Sequence, residues 1–258
     1  MSHRRGTAAA LHGREIEWST RSVTWCEVVR PALVLGSTQR DEVVVAGAAG
    51  LDVARRRSGG GAVLVEPGRM VWADVVVPAG DPLWQPDVGR AAWWLGEVWG
   101  AALARLGVGG AEVHRGGLVR TRWSSWVCFA GLGPGEVTVG GRKIVGLSQR
   151  RTRHGALFQC AVPMSWDPRP LLAALALPGD GRRAAAGELE GAVATVAGRS
   201  VPDVQAAFVD ALATVPPRPG RASGPAAARP EGVAQQRQVA ESLVDRPPGV
   251  AGQEQGGQ

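Results

Sequence analysis

A single lysine, Lys143, stands among 28 arginines in this chain, which also contains no Asn and no Tyr. That pattern suggests a GC-rich coding bias, in which arginine replaces lysine wherever any surface cation will serve. An ammonium is a compact point charge with three rotatable donors, whereas a guanidinium is a flat fork, so a site needing the former resists replacement. Lys143 is therefore the first candidate for chemistry; the plainer alternative is one surface lysine left by chance. It lies in Gly141-Arg142-Lys143-Ile144-Val145-Gly146-Leu147-Ser148-Gln149-Arg150-Arg151. This is not a phosphate loop, because G-x-x-x-x-G-K-[ST] needs lysine directly after the second glycine and a hydroxyl residue next.

The second candidate is Arg55-Arg56-Arg57-Ser58-Gly59-Gly60-Gly61. With 37 glycines, three in a row are expected about once by chance, but adjacent arginines and a serine at fixed offsets make the whole string far rarer. Glycines let a ligand approach the main chain and leave N–H groups free for anionic oxygens, and guanidiniums pair with carboxylate or phosphate. A hairpin turn flanked by solvated arginines is the alternative. The third candidate is Cys128, as a nucleophile or as a small buried residue of a strand. Cys26 and Cys160 are read as packing residues, and His114 and His154 receive no role. No spacing of His, Asp, Glu or Ser suggests a metal site or a hydrolytic triad.

The elements that must position these residues form a soluble globular chain of 258 residues, 45% hydrophobic and 20% charged, with mean hydropathy −0.03. The formal charge of +6 comes without any run of five basic residues, which argues against nucleic acid as partner. The longest uncharged apolar run, Val43–Leu51, is too short to span a membrane, and the N-terminus lacks a signal h-region, so the expected location is cytoplasmic with no membrane partner. Without C-x-x-C spacing, the cysteines are expected as reduced thiols.

Short strands are predicted over 32–36, 51–55, 61–65, 71–77, 126–130 and 156–162, with a helix over 87–106 capped by Asp87 and ended by Gly107. Gly140-Gly141 joins two strands by a two-residue turn, which puts Lys143 one residue past the turn; simple alternation groups it with Val145 and Leu147. Helices are expected near 170–177, 188–197 and 204–214. All ten tryptophans precede Asp167, so the predicted core spans 14–166, with 167–215 as a small helical annex. Residues 216–258, with seven Pro, seven Gly and six Gln, read as a disordered tail. The fold class is α+β, a mixed sheet with flanking helices.

Taken together, RRxSGGG followed some 80 residues later by GRKIxGxxQRR resembles the lipoate–protein ligase A family of the biotin/lipoate ligase superfamily, across most of residues 25–165 and including Leu35-Gly36-Ser37-Thr38-Gln39. The resemblance implies a biotin/lipoate-ligase-like catalytic domain. It also implies an enzyme that uses ATP and Mg²⁺ to convert lipoate or octanoate to an acyl-adenylate, then passes the acyl group to a lysine of a lipoyl-domain or glycine-cleavage H-type acceptor protein. By motif match, Lys143 contacts the acyl carboxylate and phosphate. Arg55, Arg56, Ser58, Gly59, Gly60, Gly61 and Gly146 fall in the segments that bind the acyl-adenylate. The apolar walls could come from Trp72, Val63 or Leu147, residues that would serve equally as plain core.

The chain departs from the family pattern where Val65 and Gln159-Cys160-Ala161 replace histidine-bearing positions. It also has about 49 residues, 167–215, where ligases carry an accessory domain tied to adenylation, which leaves open whether adenylation needs a separate partner chain. Val127-Cys128-Phe129 ahead of the GRK segment also resembles the cysteine-dependent octanoyltransferases of the same superfamily, which take octanoyl from acyl carrier protein through a thioester on Cys128 and need no ATP. A thiolate beside an ammonium would be a competent nucleophile there. A non-catalytic member that binds a lipoyl or biotinyl group is the remaining alternative.

Overall fold

The computed structural model describes residues 1–45, 48 and 50–215; the segment 216–258, expected as a tail, lies outside the described residues. Period-two alternation builds the main sheet. In β2 (Ser22–Val28), Val23 and Trp25 face one core and Cys26 and Val28 another, and β6 (Met70–Pro78) repeats the division with Val71, Ala73, Val75 and Val77 opposite Trp72. With β1 (Ser2–Gly6), β7 (Ala111–Val113), β8 (Val137–Val139), β9 (Arg142–Thr152) and β10 (Gly155–Pro163) they form seven strands in the order β1-β2-β6-β10-β9-β8-β7. Only β1–β2 is parallel. A smaller sheet has β3 (Ala32–Leu35) between a parallel β4 (Asp52–Arg55) and an antiparallel β5 (Val63–Val65).

Helices α2 (Trp93–Arg105) and α5 (Val201–Ala213) cover one face of the large sheet. The small sheet and α1 (Ala8–Gly13) cover the other. All four residues of β3 are buried because its far side is covered too: Leu33 and Leu35 pack with Leu171 and Leu172 of α3 (Pro168–Ala173) and Ala185 and Leu189 of α4 (Gly179–Glu190). The result is the mixed α+β arrangement the sequence suggests. No described helix is long and apolar enough to cross a membrane.

Several elements differ from expectation for physical reasons. The helix predicted from Asp87 begins at Trp93, because the Asp87 carboxylate instead closes a local turn by accepting from the Gly89 N–H at 2.8 Å. Residues 126–130 are not a strand. Only Val127 bridges to Ala62, and the chain then curls into a 3₁₀ turn over Cys128–Ala130. The helix expected over 188–197 lies at Gly179–Glu190, because residues 192–194 pair instead with the backbone of Lys143. The first thirteen residues are part of the folded unit: β1 pairs with β2, Thr7 caps α1 by accepting from Ala10 N–H, and Ala8 and Leu11 are buried. Within 167–215, α5 carries a Ser200/Asp203 capping box and inserts fully buried Phe208 against Trp25 and Trp99, so this stretch also supplies the principal core.

Candidate functional site

Between the two sheets lies a cleft. Val34 and Val63 come from the small sheet, and Trp72, Gly146 and Leu147 from the large one. Its walls are apolar because both facing sheets turn their period-two apolar rows inward, which suits a hydrocarbon chain. Trp72, Val63 and Leu147, the three wall residues considered from sequence, all line it. Arg56 and Cys128 line it as well.

The arginine–glycine segment reaches the cleft as a braced bend. The buried Arg56 guanidinium donates to the carbonyls of Gly59 at 2.7 Å and Gly61 at 2.8 Å, so it holds the bend while facing the cleft. Gly60 has φ +100°, and a Cβ on Gly61 would sit 2.5 Å from the Val127 nitrogen, so a side chain at either position is excluded. Gly59 is less constrained, since a Cβ there would meet only open space. The Ser58 and Ser148 hydroxyls lie 3.0 Å apart and tie the bend to β9, which carries Lys143. Arg55 points elsewhere: its guanidinium bonds to the Gly36 and Gln39 carbonyls and to Asp41, off the cleft.

Lys143 follows Gly140 and Gly141, both at positive φ as a tight hairpin turn requires. Simple alternation fails one residue later. Val137 pairs with Val145 and Thr138 with Lys143, so Ile144 is an extra residue in a bulge, and Ile144 and Val145 both enter the core under α2. Lys143 therefore shares a side with Gly146, where an added Cβ would lie 3.4 Å from Lys143 Cε and 3.3 Å from the Phe129 ring. The ammonium is only 4% exposed at the residue level and fully partnered. It lies 2.7 Å from Glu136 Oε1 and donates to the carbonyls of Cys128 and Gly131 at 3.2 and 3.1 Å. Glu136 in turn accepts from the N–H groups of Leu147 and Gly133. Sequence reasoning missed Glu136; the available signal was an acid in Gly135-Glu136-Val137, at the head of the hairpin leading to Lys143.

The N-terminal arm was missed entirely. It brings His12 into the cleft, where the imidazole stacks on Trp72 with ring centres 4.4 Å apart. Burial, reinforced by the Arg56, Arg14 and Arg57 guanidiniums, lowers the His12 pKa to about 4 and keeps it neutral. Beneath it, fully buried Asp74 accepts from Trp72 Nε1 at 2.7 Å, from Gln159 Nε2 at 3.1 Å and from the Arg14 guanidinium. Burial pushes the Cys160 thiol up to about 12 and raises that of Cys26, so neither is a ready nucleophile. Cys128 is the half-buried one of the three free thiols. Among the described residues, no group of three or more His, Cys, Asp or Glu side chains could hold a metal ion.

A family model described as the Lipoyl protein ligase A/B catalytic domain matches residues 10–212. The fold is similar to that of a bi-partite lipoate protein ligase from Thermoplasma acidophilum, studied with its E2 lipoyl domain: TM-score 0.61, 19% identity, covering 83% of each chain. A lipoate-protein ligase A bound with ATP gives TM-score 0.60 and 19% identity over 83% of this chain and 85% of the other. P. falciparum LipL1 in complex with lipoate gives 0.53 and 12% over 82% and 60%. No curated protein matches the chain significantly.

Proposed function

The chain belongs to the Lipoyl protein ligase A/B catalytic domain family, and from that premise we propose that it activates lipoate or octanoate and transfers the acyl group to a lysine of an acceptor domain. The observation that carries this reading is the meeting of both motif segments at one apolar cleft: Arg56 and Gly146 line it, and Ser58 and Ser148 join the segments beside it. Lipoate and ATP in two relatives of this fold, and a lipoyl domain with a third, support the substrate classes.

In the proposed reaction a carboxylate oxygen attacks the α-phosphorus of ATP and pyrophosphate leaves. The acceptor amine then attacks the acyl carbon, AMP leaves with the electron pair of the broken C–O bond, and the amine proton passes to solvent. Burying the acyl chain contributes about 0.8 kcal/mol per methylene before ordering costs. Arg56 and Lys143 supply positive charge near the reacting head group, where preorganised donors stabilise charge that develops in the transition state. For Lys143 this requires exchanging its bonds to the Cys128 and Gly131 carbonyls for the acyl-phosphate. Magnesium would enter on the nucleotide phosphates, its usual mode of binding.

Cys128 favours a second reading, because it faces the same cleft as the one thiol that is not buried. Here its thiolate attacks an octanoyl thioester of acyl carrier protein, the carrier thiol leaves, and the acceptor amine later releases Cys128. The experiment is mass spectrometry of a lipoyl domain or a glycine-cleavage H-type protein after incubation with this chain. An acyl mass gain that needs ATP and free lipoate or octanoate supports the ligase. A gain from octanoyl carrier protein without ATP, lost in Cys128→Ser, supports the transferase. Acyl binding with no gain under either condition rejects both and leaves a binding protein.

A further inference from the structure

The chain between β7 and the 3₁₀ turn at Cys128–Ala130 is exposed over residues 115–122, yet firmly held. At its start the His114 N–H donates to the Glu136 carbonyl at 2.8 Å and the Gly135 N–H donates to the His114 carbonyl at 2.7 Å. Further along, Val119 and Leu132 exchange two backbone hydrogen bonds, at 2.8 and 3.0 Å. Both stitches fall on the segment 131–136, whose Gly131 carbonyl and Glu136 carboxylate hold Lys143. The approach is close: a Cβ on Gly131 would sit 3.1 Å from the Val119 carbonyl oxygen and 2.8 Å from Ser124 Oγ. What this braced loop shows to solvent is apolar. Leu118 is 58% and Val119 50% exposed, and among the described residues they are the only exposed large apolar side chains adjacent in the chain. Arginines surround them. Arg115 and Arg122 pair with Glu97 and Glu188, all four side chains being exposed, and Arg120 has no carboxylate partner among the described residues.

Backbone pairing keeps two apolar side chains fixed in water, which is unfavourable unless a second surface covers them. The position of the loop says what that surface belongs to. The acyl group must reach an amine on another protein, and a lysine side chain extends only a few ångströms past its own backbone. The acceptor's surface therefore settles around the residues that hold Lys143, and this loop is hydrogen-bonded directly to them. We propose that Leu118 and Val119 are apolar anchors on which the acceptor domain docks, with Arg120 meeting a carboxylate beside the acceptor lysine. The exposed ion pairs of Arg115 and Arg122 are weak and can be exchanged for acids of the partner. This surface rests on the acyl-transfer reading of the cleft. It specifies the partner's chemistry, an apolar contact face with an acid close to the lysine that is modified.

The test compares the full chain with the double variant Leu118→Ser, Val119→Ser and with Arg120→Glu, using a lipoyl domain as acceptor. Transfer kinetics give KM and kcat for the domain, and titration calorimetry gives its binding. The step before transfer is followed separately, as pyrophosphate release from ATP with octanoate and as octanoyl loading from acyl carrier protein without ATP. The double variant should raise KM for the domain about tenfold, with kcat and the earlier step within about twofold of wild type. Arg120→Glu should raise KM about threefold at low salt and have little effect at high salt. Thermal midpoints should stay at the wild-type value, since both anchors are exposed. An unchanged KM in the double variant overturns the surface. So does an equal fall in the earlier step, which would make the loop a support of the cleft, or a self-association of the wild type lost in the double variant while KM holds, which would give the patch to a second copy of this chain. If the wild type transfers no acyl group by either route but binds the domain, and the double variant does not, the surface stands and the acyl-transfer reading fails. Neither binding nor transfer rejects both.

Discussion

Two basic centres flank the cleft, and they are satisfied in opposite ways. Lys143 has three acceptors, one of them the Glu136 carboxylate, and is buried. Arg57 and Arg150 have no carboxylate partner among the described residues. A cation satisfied from within is part of the architecture and must change partners before it can serve a ligand. A cation without a counter-ion contributes little to folding at neutral pH, where His12 is neutral either way, so its removal should leave the urea midpoint there unchanged.

The sharpest way to break this comparison is Lys143→Ala. The substitution leaves Glu136 buried with two N–H donors and no cation, and should cost about 3–5 kcal/mol of stability. Acceptor acylation should fall by about 10²–10³-fold through loss of a positioned donor. The double variant Lys143→Met with Glu136→Gln removes both charges together; its denaturation midpoint should recover most of the loss while its acylation rate does not. A single variant as stable as the wild type would show that the pair does not carry the architecture. Lys143→Arg keeps the charge but presents a flat fork to three acceptors arranged around one nitrogen, so it should also acylate poorly.

A smaller effect sharpens the arginine side. His12 takes up its proton near pH 4 in the folded chain and near 6.5 when unfolded. Between those values the unfolded chain holds more protons, so stability is full above about pH 6.5 and declines as pH falls toward 4. The ceiling is about 3 kcal/mol. Urea midpoints compared at pH 7 and pH 4.5 should show this slope, and His12→Gln should flatten it. Arg57→Gln should flatten it in part, since Arg57 is one of the charges that oppose protonation. A slope unchanged in His12→Gln would assign it to other groups.

What was legible in the sequence follows the range of the interactions. The turn at Gly140-Gly141 and the strand position of Lys143 are local, and both are visible in a few residues of text. The bulge at Ile144 is not, because the extra residue is defined only against the partner strand. Glu136 lies seven positions before Lys143, yet their contact exists only once the hairpin has closed with that register. His12 is harder still: it meets Trp72 and Gln159 through the docking of β1 beside β2, and no short-range pattern links residue 12 to residue 159. Burial on both sides made β3 readable as a continuous apolar run. The 126–130 stretch carries the same apolar signal but pairs only around Val127, with the Ala62 backbone, and then curls so that the Cys128 carbonyl turns to Lys143.

The smallest expected effect concerns the contact that joins the two motif segments. Ser58→Ala removes the hydroxyl 3.0 Å from that of Ser148, while the Ser58 carbonyl still accepts from the Ser37 N–H and the Arg56 guanidinium still braces the glycines. The bend therefore keeps its backbone supports, and the loss should be about 1 kcal/mol in the urea midpoint. The same contact sets the spacing between Arg56 and Gly146 across the cleft, so the Michaelis constant for the acyl substrate should rise by less than tenfold with turnover nearly unchanged. A larger fall in turnover would mean that the hydroxyl pair positions the reacting head group, which would shift weight from Lys143 to the serine link.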